Sequence, residues 1–183
     1  AAVATAQAMR GGRRLVFVQR PNSVQSSISV GNFAITRDDD RWYTLQLANQ
    51  IYGAAFDSRL VRNIREEKGY TYSPSSQFAA FEDVGFTRIG ADVRNDVTGP
   101  TLTEIYAEAE RLRATAPELP ELDGAKAYAR GLFVVQNATQ GGLASTLNTM
   151  QAFGLPADYP ETFQSKITAL PPEAVVTGAR MVI

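Results

Sequence analysis

The eighteen residues from Asp57 to Pro74 constrain this chain more tightly than any other stretch. Six charged residues fall between Arg59 and Lys68, and the run stops abruptly on Gly69. Leu60, Val61 and Ile64 are spaced i, i+1, i+4, so one narrow stripe of a short helix can face a core. Gly69 suits the end of that helix because glycine takes the left-handed conformation with no Cβ penalty. Beyond it, Tyr70, Thr71 and Tyr72 are strand formers. The spacing predicts a helix running into a strand, with Arg65 near the helix end and Tyr72 just inside the strand.

The flanks supply what that segment packs against. Ala1 to Gly12 is Ala-rich and ends in glycine; it reads as a linker or disordered terminus, with residues 13–183 forming a single domain. Without an initiator Met, the start is that of an excised piece. Arg14 to Gln19 is a compact β-prone run closed by a turn at Arg20-Pro21-Asn22-Ser23. Val24 to Ile35 alternates imperfectly, as in a strand with one wet face. Arg37-Asp38-Asp39-Asp40 marks a helix start, where carboxylates suit the partial positive charge, and Trp42, Leu45, Ala48, Ile51, Tyr52 and Ala55 follow at helical spacing. Adjacent aspartates do not share a helical face, so they read as a solvated cap rather than a metal cluster.

Tyr70 to Phe81 and Gly85 to Val93 form a hairpin, with Ile89, Ala91 and Val93 pointing one way and Arg88, Asp92 and Arg94 the other. Asp96 to Arg113 is an amphipathic helix. Helices follow over Leu122 to Gln136, with Leu132 and Gln136 counted in its packing face, over Gly141 to Phe153, from Asp158, and from Leu170-Pro171-Pro172-Glu173 to Arg180. Strands, a helix pair, a hairpin and then a run of helices imply an α+β fold, a mostly antiparallel mixed sheet with helices packed on one face.

Two absences narrow the chemistry. Cys is zero, which removes disulfides, thiol nucleophiles and thiolate metal sites. His is also zero, whereas catalytic zinc is nearly always held by at least one imidazole. A serine hydrolase triad would lack its base and its Gly-x-Ser-x-Gly elbow. Lys+Arg 18 against Asp+Glu 19 leaves no net field, so nucleic acid is not an expected partner, and no apolar run is long enough for a transmembrane segment.

Ser58-Arg59-Leu60 followed by Arg65-Glu66-Glu67-Lys68-Gly69-Tyr70-Thr71-Tyr72-Ser73 resembles the signature of the non-metal half of the pitrilysin/insulinase family of zinc peptidases, which includes the mitochondrial processing peptidases. Pro21, Gln25, Ser26 and Gly31, the run Glu121-Leu122 to Ala125-Lys126, and Gly154-Leu155-Pro156 with Asp158-Tyr159 add to the likeness, which spans Arg14 to Ile183. The resemblance implies a processing-peptidase-like (LuxS/metallohydrolase-like) sandwich, the inactive domain of a metallopeptidase, truncated before its last strand. A single glycine, Gly53, stands in the corner where the family commonly has two, which implies a stiffer corner.

The resemblance further implies that the chain binds no cofactor itself, while zinc sits in a homologous partner domain, either upstream in the same chain or in a separate subunit. The inactive domain of such a pair offers an Arg and a Tyr, seven residues apart, to bind peptide substrate and the developing oxyanion; here these are Arg65 and Tyr72. Tyr70 is the rival, because a one-residue shift in register swaps strand faces. Ser58, Arg59 and Gly69 take the structural corner, and Glu66 and Glu67 read as solvated. The alternatives are a structural core-subunit-like role and a peptide-binding module using a strand edge. A periplasmic or extracytoplasmic bacterial location follows from the resemblance alone.

Overall fold

The computed structural model describes Gly12 and residues 14–182, so the assigned linker lies, Gly12 apart, outside the described residues. The strand predicted to alternate most cleanly sits at the centre of the sheet. In β3 (Gly85–Arg94), Ile89, Ala91 and Val93 are buried while Arg88, Asp92 and Arg94 face solvent. It pairs antiparallel with β1 (Gln25–Ala34) on one side and β2 (Ser75–Ala80) on the other, giving the order β1-β3-β2. Gln25 stands opposite Arg94 and Phe33 opposite Phe86, while Gln77 lies opposite Arg88 from the other side.

The inner face of this sheet is covered by helices. α1 (Trp42–Asn49) buries Leu45, Leu47 and Ala48 and runs on through a π-helical stretch, Gln50–Ala54, that buries Ile51 and Tyr52. α2 (Thr98–Ala114) adds Ile105, Ala109 and Leu112, and α6 (Pro172–Ala179) adds Val175 and Ala179. These side chains form one core with Ile28, Ile89, Ala91 and Val93. A smaller aromatic cluster, containing Ala129 of α3 (Leu119–Asn137) and Tyr159, Phe163 and Ile167 of α5 (Tyr159–Ala169), packs beside it with Trp42 and Tyr43. The α+β architecture read from the sequence is the one observed.

Four local expectations are corrected. The run Arg14–Gln19 forms no strand; Leu15, Val16, Phe17 and Val18 are exposed, because β propensity is realised only where a neighbouring strand takes up the backbone hydrogen bonds. The segment Tyr70–Tyr72 is likewise irregular, and β2 begins at Ser75. α1 begins at Trp42 rather than at the aspartates: Asp39 accepts the Arg41 backbone N–H at 2.8 Å and grips its guanidinium, making a tight turn ahead of the helix. Leu132 and Gln136, placed on the packing face of α3, are exposed, and α4 (Gln140–Ala152) has no buried residue.

Gly53 explains why the corner works with one glycine. A Cβ there would lie 2.7 Å from Leu60 Cδ1 and 2.7 Å from Ser76 Cβ, so the helix backbone approaches β2 directly. Gly53→Ala is therefore expected to overpack this contact and lower stability by about 1–3 kcal/mol, read as a shift of the urea midpoint with an unchanged slope.

Candidate functional site

The chain turns between two π-helical stretches, Gln50–Ala54 and Val61–Glu67. The wide turns are visible in their hydrogen bonds: Ala55 N–H reaches Gln50 O at 3.2 Å and Lys68 N–H reaches Asn63 O at 3.0 Å. Such single-turn bulges inside helices often accompany functional positions. Gly69 closes the second stretch with φ 63°, and Tyr70 N–H then bonds back to Ile64 O at 2.9 Å. This left-handed residue releases the chain from the helix and sends it toward the sheet.

Three contacts hold the corner. Ser58 is buried, donating its N–H to Ala55 O and accepting that of Arg62. Arg59 forks onto Glu121 in the first turn of α3, Nε to Oε1 at 2.9 Å and Nη2 to Oε2 at 2.6 Å, and Arg62 Nη2 joins at 2.7 Å. Burial raises the Glu121 carboxyl, but the two guanidiniums outweigh it and hold the group below the usual carboxylate range. Asn63 ties the π stretch to α2 by donating to Glu104 at 2.9 Å and to Glu108 at 2.5 Å.

Held in this way, Arg65 emerges half-buried at the rim. Its guanidinium carbon lies 4.5 Å from the Tyr72 ring centroid and 5.0 Å from that of Phe56, both within cation–π range. Its N–H groups make no hydrogen bond or ion pair with any described residue. Tyr72 is 80% exposed, whereas Tyr70 packs partly buried against the main core. The structure thus brings Tyr72, not Tyr70, to Arg65, and it does so by a loop rather than by strand parity. Glu66 and Glu67 are exposed.

Beside Tyr72 opens a cavity of ≈ 410 Å³, which Gln25, Asp92 and Arg94 of the outer sheet face also line. Sequence reasoning missed Phe56 and gave Asp92 and Arg94 no role. The signal for the latter pair lay in the outward parity of β3; nothing in spacing marked Phe56, whose ring lies against Arg65 across the turn between the two helical stretches. With no histidine, and with no group of three or more His, Cys, Asp or Glu side chains placed to hold a metal among the described residues, the donors do not fit zinc.

Residues 6–128 match the family model described as the peptidase M16 inactive domain. The chain belongs to that family. It is 29% identical over 105 residues to the uncharacterised zinc protease YmxG of Bacillus subtilis, a match that covers 55% of this chain and 25% of that one. The solved peptidase M16 inactive domain from Pseudomonas fluorescens superposes with a TM-score of 0.77 at 29% identity, over 85% of this chain and 37% of that one. A chain from Bordetella parapertussis, named as the inactive peptidase domain of a zinc protease, gives 0.75 at 15% identity over 92% and 91%, which shows the shared fold. The chain thus spans about a quarter of the curated relative's length.

The Glu121 clamp makes the corner acid-sensitive. A carboxylate depressed in the folded state contributes stability that is present above its unfolded pKa, near 4.5, and is lost as pH falls through the lower folded value. Between pH 6 and pH 3 the protein is expected to lose about 1 kcal/mol more than Glu121→Gln does, measured by urea unfolding at each pH.

Proposed function

We propose that this inactive M16 domain forms one wall of the substrate chamber of a zinc endopeptidase, facing a zinc-bearing partner domain. Arg65 and Tyr72 are its contribution to the chemistry there. The observation that carries this reading is the Arg65 guanidinium, which two rings hold in place while its donors remain unpaired. Arginine on a solvated helix face ordinarily pairs with a neighbouring carboxylate. The neighbours that share its helix face are Val61, Arg62, Lys68 and Gly69, none of them a carboxylate, and the side chain lies against Phe56 and Tyr72.

In this role Arg65 and the Tyr72 hydroxyl donate to a peptide carbonyl, and more strongly to the oxygen as it gains negative charge. Lysine, a point charge without the planar fork of donors, is a poor substitute between these rings despite its equal charge. On this reading the zinc chemistry belongs to the partner; the chain has no histidine, and among the described residues no group of three or more His, Cys, Asp or Glu side chains is placed to hold a metal. The extracytoplasmic part of the reading rests on the family resemblance; among the described residues no helix is long and apolar enough to cross a membrane.

In an assembly with the zinc-bearing domain, Arg65→Ala is expected to lower kcat about 100-fold, the scale for losing one donor to a developing oxyanion. Tyr72→Phe is expected to act in the same direction, and Arg65→Lys to restore little. The unfolding midpoint should move only slightly in each variant. Full turnover in both Arg65→Ala and Tyr72→Phe would remove these side chains from the mechanism.

A further inference from the structure

The outer face of the sheet is not uniformly polar. Near Tyr72 it presents Gln25, Arg94 and Asp92; Ser27, Ser29, Ser75 and Gly90 follow, and then Arg88 flanked by Gly31 and Gln77. At the far end stand three phenylalanines. Phe33 and Phe86 are direct cross-strand partners, and Phe81 stacks on Phe86 with ring centroids 6.2 Å apart. They are 45%, 38% and 49% exposed, respectively, in an otherwise hydrophilic surface. A cavity of ≈ 240 Å³ lies along Ser75, Gln77, Arg88 and Gly90, and it shares Ser73 and Asp92 with the larger cavity beside Tyr72. Joined at Ser73 and Asp92, the two run as a trough from Tyr72 to Gln77 and Arg88, and the Phe33–Phe86 pair stands on the same face two residues beyond the Gly31–Arg88 pair.

Arg88 sits in that trough with a single hydrogen bond, to Ser29 Oγ at 3.0 Å, and no ion pair among the described residues. A cation left without a carboxylate on a sheet that carries few charges is complementary to an acidic side chain. Three rings with half their area exposed can cover one bulky apolar side chain. A docked domain would need roughly 800 Å² of matched surface, and the polar rows beside the rings do not supply an apolar core for that. The eight residue steps from Phe86 to Arg94 span roughly 27 Å, the length of an extended peptide of about nine residues.

We infer that this trough is a specificity site for an extended peptide, which seats a bulky apolar side chain on Phe33, Phe81 and Phe86 and an acidic side chain two positions away on Arg88. Phe86 and Arg88 point the same way two residues apart, roughly 7 Å, which matches side chains i and i+2 on one face of an extended ligand. The inference rests on the reading of this face as a chamber wall, and it names the substrate class that such a wall selects.

The test uses the 183-residue chain and fluorescein-labelled nine-residue peptides read by anisotropy. They carry Phe-x-Glu in either order, together with Ser-x-Glu, Phe-x-Gln and Ser-x-Gln controls. One Phe-x-Glu order is expected to bind at least about fivefold more tightly than each singly changed control, corresponding to about 1 kcal/mol. Phe86→Ser should abolish the preference for Phe over Ser, Arg88→Gln the preference for Glu over Gln, and Arg65→Ala neither. No binding, equal affinity for all peptides, or preferences that survive both trough substitutions would overturn the inference. So would Phe86→Ser acting only on association with a zinc-bearing domain. The first comparison uses the unsubstituted chain, so a variant that fails to fold does not rescue the idea. No selectivity among the peptides in the unsubstituted chain, with an intact Arg65 effect on turnover, would reject the trough and leave the donor role standing.

Discussion

Strand β3 is hydrogen-bonded along both edges, and this double pairing is what the rest of the molecule depends on. A slip of one residue would exchange the two faces of the strand. Ile89, Ala91 and Val93 would go to solvent, and Arg88, Asp92 and Arg94 would enter the core under α1 and α2. Burying those three charges without partners costs far more than any local rearrangement recovers. The register is therefore fixed by the same alternation that lays out the polar trough. The core and the candidate binding face are two readings of one strand.

The helical corner is the second constraint, and it acts by distance rather than polarity. Gly53 lets the backbone meet Leu60 and Ser76 at a separation that no side chain tolerates. The Arg59 and Arg62 forks on Glu121 then fix the outgoing stretch to α3, and Asn63 fixes it to α2. Each anchor lies within six residues of Arg65, so these contacts bring its backbone to the rim, and Phe56 and Tyr72 then flank the guanidinium. The wide π turn is compatible with this because its irregular backbone is held from two sides. An unsupported turn of that kind would relax toward an ordinary helix.

What could be read from the sequence follows the same division. The inward and outward parity of β3, the helical stripe through Leu45, Ala48, Ile51 and Tyr52, and the stop at Gly69 are short-range patterns, and each was legible. The misreadings share a cause. Leu15–Val18 and Tyr70–Tyr72 have strand chemistry but no strand to pair with, and pairing is a property of distant residues. The exposed face of α3 has the same origin: periodicity locates a stripe, but only the packed fold decides whether anything covers it. At the site, the Arg65–Tyr72 spacing was visible, while the Phe56 contact needed the turn that only the corner provides.

The small aromatic cluster shows how a charge can be accommodated away from the site. Arg37 follows β1 and is only 7% exposed, with its guanidinium carbon 3.9 Å from the Trp42 ring centroid and 5.5 Å from that of Tyr159. Burial pushes the Tyr43 and Tyr159 phenols up, and the nearby cation pulls against that rise. A guanidinium is weakly hydrated and tolerates such a box better than an ammonium would. The cation thereby links the end of β1 to α1 and α5 without a carboxylate partner. This cluster holds α5 and the later turns of α3, whereas Leu122 at the start of α3, β3 and the corner rest on the main core itself. The two clusters meet at α1 and Leu170, so loosening of α5 can stay local while the sheet face keeps its geometry.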